Sequence, residues 1–179
     1  MTFYGGKDLA AAFRTVRGNT LVIANELTEE QYSHSPAVGS RTVGQLLTHI
    51  AMGTEFPEEL HKTRHLDTLV GYDFPAFMQR MVAEEKKSRG KAEIVALLKD
   101  NGDRFAAWLE TVSDAFLAET VTFPPGASPA SKTRFEMLLG PKEHEMHHRG
   151  QLMLIQRILG GVPHLTRQMN ERMAAMQKK

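Results

Sequence analysis

The chain has 179 residues, with 22 basic and 21 acidic side chains, a formal net charge of +1, 41% apolar residues and no cysteine. That length suits one domain with a sizeable core, so residues 1–179 read as a single domain. Disulfides, cysteine-ligated zinc and cysteine nucleophiles are excluded, and balanced charge without a basic stripe argues against a nucleic-acid partner.

The opening stretch MTFYGGKDLAAAF lacks the cationic start, apolar centre and cleavage site of a signal peptide. No run approaches the ~18 apolar residues of a membrane span, so a cytoplasmic protein with no membrane partner is the expectation. Apolar spacing is helical almost throughout. A first helix is predicted from about Asp8 to Glu26, with Leu9, Phe13, Val16, Thr20, Ile23 and Leu27 on one face. Thr28 with Gln31 reads as a cap opening a short turn, and SPAVGS as a loop. Thr42 with Gln45 repeats the capping pattern and opens a second helix, which turns Val43, Leu46, Leu47 and Ile50 inward. Pro57 is expected to kink or restart that helix after Phe56, with continuation to about His65. A short connecting helix is expected from about Pro75, then a third long helix from about Lys91 to Val112. A short extended piece fits Val121–Phe123. Thr133 with Glu136 caps the fourth long helix, which Gly140-Pro141 should interrupt or kink before it runs on to about Leu159. GGVP stops it, and a short, basic-ended helix closes the chain. Four long helices joined by loops of mixed length make an all-α four-helix bundle.

The fourth helix carries the chemistry, in the stretch GPKEHEMHHRGQL at residues 140–152. Residues i and i+4 stack on one helix face, roughly 6 Å apart along the axis, and His144 and His148 stand in that relation. Met137, Ile155 and Leu159 share or adjoin their stripe, so both rings should face inward. Neutral imidazoles in a core need partners, and a divalent metal supplies one. His49 follows Val43, Leu46 and Leu47 on the second helix and is also inward-facing. His49, His144 and His148 thus form a candidate three-histidine metal set with a fourth position open. The plainer reading makes them surface or core-edge histidines. His147, rotated about 100° from His148, belongs on the flank. The pair His61 and His65 is also spaced i,i+4, but Lys62 and Arg64 beside it point to a solvated face. His34 and His164 fall in loops. Arg149 is expected to pair with Glu145 one turn back, Gly150 to permit close helix packing, and Gln151 to bond a bound ligand or fill a polar gap. His144-Glu145 to His148 also spells H-E-x-x-H, the zinc-protease pattern in which Glu is the base. Its extended form needs Gly and His where Gln151 and Leu154 stand.

VGQLLTHIA in the second helix, its lead-in SPAVGSRT, and KEHEMHHRGQLM in the fourth resemble the DinB/YfiT-like family of bacterial proteins. The resemblance spans nearly the whole chain. It implies an up-down-down-up bundle with a divalent metal held by His49, His144 and His148. Some members are similar in fold to thiol-dependent enzymes, namely S-transferases using bacillithiol, mycothiol or glutathione, and a maleylpyruvate isomerase, while most members have no assigned reaction. The family name records induction by DNA damage, not DNA binding. Members often pair, and the abundance of Phe and Met here agrees with a homodimer.

Three neutral imidazoles leave the metal's charge uncompensated, which stabilises a bound hydroxide or thiolate. The expected function is therefore metal-dependent thiol S-transfer to a small electrophile, with zinc first and nickel next among metals and an external low-molecular-weight thiol. A non-catalytic metal-binding bundle, acting as sensor or binding module, is the alternative, and an H-E-x-x-H zinc hydrolase a third. No acid or base is identifiable from the sequence; Glu26 and Glu55 are candidates by position only, so the catalytic residues stay unassigned.

Overall fold

The computed structural model describes residues 4–177. Part of the N-terminal stretch read against a signal peptide, and the last two lysines of the basic end, lie outside the described residues. The long helices are α1 (Gly6–Glu26), α2 (Val43–Met52), α5 (Lys91–Leu109) and α7 (Arg134–Ile158). Between them come α3 (Glu55–Pro57), which runs on as a π-helical turn over Glu58–Thr63, then α4 (Phe74–Glu85) and α6 (Asp114–Ala118). α8 (His164–Gln177) closes the chain. The helices form a four-helix bundle in which α1 and α2 each pack on both α5 and α7.

Local chemistry sets the helix starts. Thr42 Oγ1 accepts from Gln45 N at 3.2 Å while Gln45 returns a bond to Thr42 N at 2.9 Å, and Thr133 with Glu136 does the same. Each box satisfies two backbone donors that a helix start would leave orphaned. Only half of the Thr28 box forms: Gln31 accepts from Thr28 N, and the turn it opens is 3₁₀ over Glu30–Ser33. Asp73 caps α4, with Pro75 in the first turn where its missing N–H costs nothing.

Three elements depart from the sequence expectation. The second helix ends at Met52, before Pro57. Gly53 and Thr54 break it, and Pro57 falls in the first turn of α3, where proline is tolerated. Gly140-Pro141 does not interrupt α7, which is continuous with Pro141 buried inside it. The extended piece is real as β1 (Thr120–Thr122), but it pairs antiparallel with β2 (Ser131–Thr133), a strand too short to leave a periodic signal. Among the described residues, no helix is long and apolar enough to cross a membrane.

Two apolar clusters fill the bundle. One holds Ile23, Leu47, Ile50, Leu98 and Leu152; the other holds Phe13, Phe105, Leu109 and Leu138. A buried polar layer lies between them along the sequence of α1, α5 and α7: Arg17, Asn101, Glu145 and His148. Arg17 Nε donates to both carboxylate oxygens of Glu145 at 3.0 and 2.9 Å, and the pair is almost fully buried. Its other nitrogens donate to the backbone carbonyls of Leu98 on α5 and Ile50 on α2. Gly102 makes room for this side chain, since a Cβ there would sit 2.9 Å from Arg17 Cγ. The arrangement corrects two expectations. Glu145 pairs with Arg17 across the bundle and not with Arg149 on its own helix, and no atom meets a Cβ built at Gly150, so that glycine mediates no close packing.

Arg17→Met should therefore leave the Glu145 carboxylate buried and uncompensated, a loss of about 3–5 kcal/mol. Urea denaturation of this variant and of the double variant with Glu145→Leu tests it: the double variant should recover much of the loss. Equal destabilisation in the two would mean that packing, not charge, carries the effect.

Candidate metal centre

The sequence-predicted ligands converge. His49 comes from the last turn of α2, and His144 and His148 from successive turns of α7. One ligand atom from each ring can be chosen so that all three lie within 4.8 Å of one another. His144 Nε2 lies 2.9 Å from His49 Nε2 and 3.2 Å from His148 Nε2. These separations are near the edge of a tetrahedron built on imidazole–zinc bonds, about 3.3 Å.

The proton inventory points the same way. His49 Nδ1 is 2.6 Å from a Glu85 carboxylate oxygen. An ionised carboxylate only accepts, so the ring proton sits on Nδ1 and Nε2 carries a bare lone pair. Burial works to raise the Glu85 pKa, but hydrogen bonds from Arg41 and His49 outweigh it and hold the carboxyl below its usual range. His148 Nδ1 is likewise 2.9 Å from the Gln151 side-chain oxygen, which directs its Nε2 lone pair inward. Two bare lone pairs thus face His144 Nε2, which in the neutral ring brings at most one proton. A cation at the shared focus relieves this crowding, and the residues present fit one. Gly53 lets the His144 ring approach α2, because a Cβ there would stand 3.1 Å from its Nδ1. Burial, the largest influence, pushes His144 down to about 4, and its histidine neighbours act in the same direction. Burial also holds His49 and His148 below the ordinary value. All three stay neutral and able to ligate at neutral pH.

The remaining predicted residues fall as follows. His147 is exposed on the flank, with its Nε2 3.2 Å from the Gln151 amide nitrogen. Gln151 therefore bridges His147 and His148 and orients a ring of the cluster. Glu145, the would-be base of H-E-x-x-H, is locked against Arg17 and cannot act at the cluster. Glu26 pairs with Arg167 and Glu55 with Arg104. His61 is not on a solvated face: it is only 1% exposed. The π-helical turn ends at Thr63 and His65 takes a left-handed φ of 46°, so the i,i+4 stacking that an α-helix would give does not exist. His65 instead bonds Glu119 at the surface. His164 is also buried, opening α8 with a bond to Asn19. Sequence reasoning missed Glu85, whose position at the end of α4 carries no local signal.

Two cavities flank the cluster. One, about 320 Å³, is lined by His49 and His144 together with Phe56, Phe74, Phe77, four methionines and His61, and by no Asp, Glu, Lys or Arg. Part of the Phe and Met surplus lines this cavity. The other, about 650 Å³, includes Arg41, Glu85, Lys86 and Gln151.

A helical bundle with three histidines from two helices meeting at one point defines the class of this protein. The sequence profile of the DinB superfamily matches residues 12–152, and the chain belongs to that superfamily. No functionally curated protein matches it. Among solved structures, a DinB-like protein of Bacillus subtilis, YjoA, aligns with a TM-score of 0.63 at 20% identity, covering 86% of this chain and 93% of its own. YfiT from Bacillus subtilis, described as a probable metal-dependent hydrolase with an unusual four-helix bundle topology, aligns with a TM-score of 0.65 at 20% identity. That alignment covers 87% of this chain and 88% of YfiT. At that identity the likeness is one of fold.

The buried histidines also predict the acid response of the metal-free chain. Burial lowers the His61 pKa from 6.5 to about 4, and His49, His144 and His148 are shifted the same way. As pH falls below 6.5 the unfolded chain takes up protons that the folded chain refuses, so stability declines toward pH 4. His61 alone corresponds to about 2 kcal/mol between pH 7.5 and 5. Urea midpoints across this range should fall steadily on acidification; a flat profile would place these rings at ordinary pKa values.

Proposed function

We propose that this chain is a divalent-metal-dependent enzyme that joins a small electrophile to a low-molecular-weight thiol, with zinc or nickel held by His49, His144 and His148. The observation that carries the reading is the meeting of three Nε2 atoms, two of them bare of protons, at the wall of an apolar cavity. When bound, the metal supplies Lewis acidity and lowers the pKa of a thiol or water that reaches it. The chain's own residues do the rest. Glu85 and Gln151 fix the ring tautomers and orientations. Arg41 holds Glu85 ionised in turn. The Phe and Met wall excludes water and receives the apolar body of a substrate, while Arg41 and Lys86 favour an anionic thiol in the neighbouring cavity. The thiol is external because the chain has no cysteine.

Hydrolysis is the second reading, favoured by the description of YfiT as a probable metal-dependent hydrolase. It would not follow the zinc-protease scheme, since Glu145 is bound to Arg17. A substrate-sized cavity against the histidines speaks for either reaction over a purely structural or sensing metal site.

Metal analysis of the purified chain tests the ligand set. His144→Ala and His148→Ala should each lose most of the metal, and His147→Ala little. Glu85→Gln should weaken binding about 10–100-fold, the usual cost of removing a partner that orients a ligand. Full retention in His148→Ala would refute the assignment.

Activity separates the reactions. Thiol consumption with a generic electrophile, run beside hydrolysis of an activated ester, should show chelator-sensitive loss of thiol. Chelator-sensitive ester cleavage without thiol loss would make the chain a hydrolase. Tight metal binding with neither activity would leave a non-catalytic metal bundle.

A further inference from the structure

His61 stands outside the three-histidine cluster, yet it lines the same apolar cavity. Its side chain is buried, and its Nδ1 lies 2.9 Å from Arg134 Nη1. Arg134 is itself 1% exposed, and its Nε donates to Glu119 at 2.8 Å. A guanidinium donates only and does not lose its proton in a protein. His61 Nδ1 must therefore be the acceptor, which puts the single ring proton of neutral His61 on Nε2. Among the described residues, that N–H has no hydrogen-bond partner. A π-helical turn presents it, a widening of the helix often found at functional sites.

We propose that His61 Nε2–H is the substrate-reading donor of this cavity, and that the cavity takes a small, uncharged, mainly apolar molecule carrying a carbonyl-type acceptor. The Phe56, Phe74 and Phe77 side of the cavity supplies the apolar contact. Apart from a metal on His49 and His144, the lining holds no carboxylate, lysine or arginine to compensate a charged ligand for its lost hydration. Arg134 sets the tautomer and Glu119 balances its charge, so the donor is present whether or not a ligand is bound. The inference rests on the proposed function in taking this cavity as the substrate site, but the donor itself requires no metal.

The test is a pair of isosteric probes, acetophenone and α-methylstyrene, titrated into the 179-residue chain with histidine side chains labelled with ¹⁵N. The chain is used both zinc-loaded and chelator-treated. Long-range ¹H–¹⁵N spectra should show His61 as the Nε2–H tautomer. Acetophenone should bind about tenfold more tightly than the hydrocarbon and shift the His61 Nε2 signal, in both preparations. His61→Phe should abolish the preference; if that variant does not fold, the comparison of the two probes on the native chain still decides. Equal affinities, failure of both probes to bind, or an Nδ1–H tautomer would overturn the proposal. A ketone preference seen only with zinc would also overturn it, by assigning the carbonyl to the metal. If zinc does not bind at all, the metal-centre reading fails while a ketone preference in the metal-free chain still upholds His61.

Discussion

Arg17 is the side chain on which the register of the bundle depends. From α1 it reaches the other three long helices, through the Glu145 carboxylate on α7 and the carbonyls of Leu98 on α5 and Ile50 on α2. Two of those contacts are next in sequence to candidate ligands: Ile50 follows His49, and Glu145 follows His144. A slip of either helix past the other would break a directional bond before it separated the rings. A well-packed apolar pair in the same volume would avoid the desolvation cost of two buried charges. Apolar contacts, however, are tolerant of small shifts, and three imidazole nitrogens meeting at one point are not. The buried ion pair lies in the polar layer between the two apolar clusters, at the level where α7 turns His148 inward.

The candidate centre is electrically simple inside and charged just outside. Three rings kept neutral by burial meet at the focus, while Glu85 and Arg41 stand one layer back. This order matters for reactivity. A carboxylate bound directly at the focus would neutralise part of a cation's charge, whereas one behind His49 strengthens that ring as a donor and leaves the focus electrophilic. The same residues, Arg41 and Glu85, form part of the wall of the larger cavity, so the groups that orient the cluster also shape the neighbouring space.

What was legible in the sequence follows from the range of the interactions involved. His144 and His148 are four residues apart on a long helix, and helical periodicity alone puts them on one face. His49 sits within an apolar run whose inward face is equally plain. Such local signals yielded the bundle, the capping boxes at Thr42 and Thr133, and the three converging rings. Glu85 was invisible because it meets His49 across 36 positions, from a helix whose docking no local pattern encodes. Glu145 was read against Arg149 because that partner lies on its own helix; the partner it has, Arg17, is 128 positions away. His61 was misplaced for a geometric reason. The rule that pairs i with i+4 assumes 3.6 residues per turn, and a π-helical turn ending in a left-handed residue violates it.

The irregular stretch that defeated periodicity is also the one that shapes the apolar cavity. The bundle proper contributes His49 and His144 from regular helices, which hold atoms where reactive geometry requires them. Gly53, Phe56, Pro57 and His61 come from the broken continuation of α2, and Phe74, Phe77, Met78 and Met81 from α4 and its start. A straight continuation of α2 would wind residues 53–63 around one axis and turn only every third or fourth side chain toward the cavity. The break at Gly53–Thr54 and the π-helical turn set apolar side chains and one fixed N–H donor around the space beside the rings. Methionines complete the wall, and their unbranched side chains accommodate varied apolar shapes. Positioning of the candidate ligands rests mainly on regular helices locked by Arg17, and selection of what lies against them on the irregular stretch and α4. The two tasks meet at Gly53, which admits the His144 ring, and at α4, which supplies Glu85 behind His49 as well as Phe74 and Phe77 of the apolar wall.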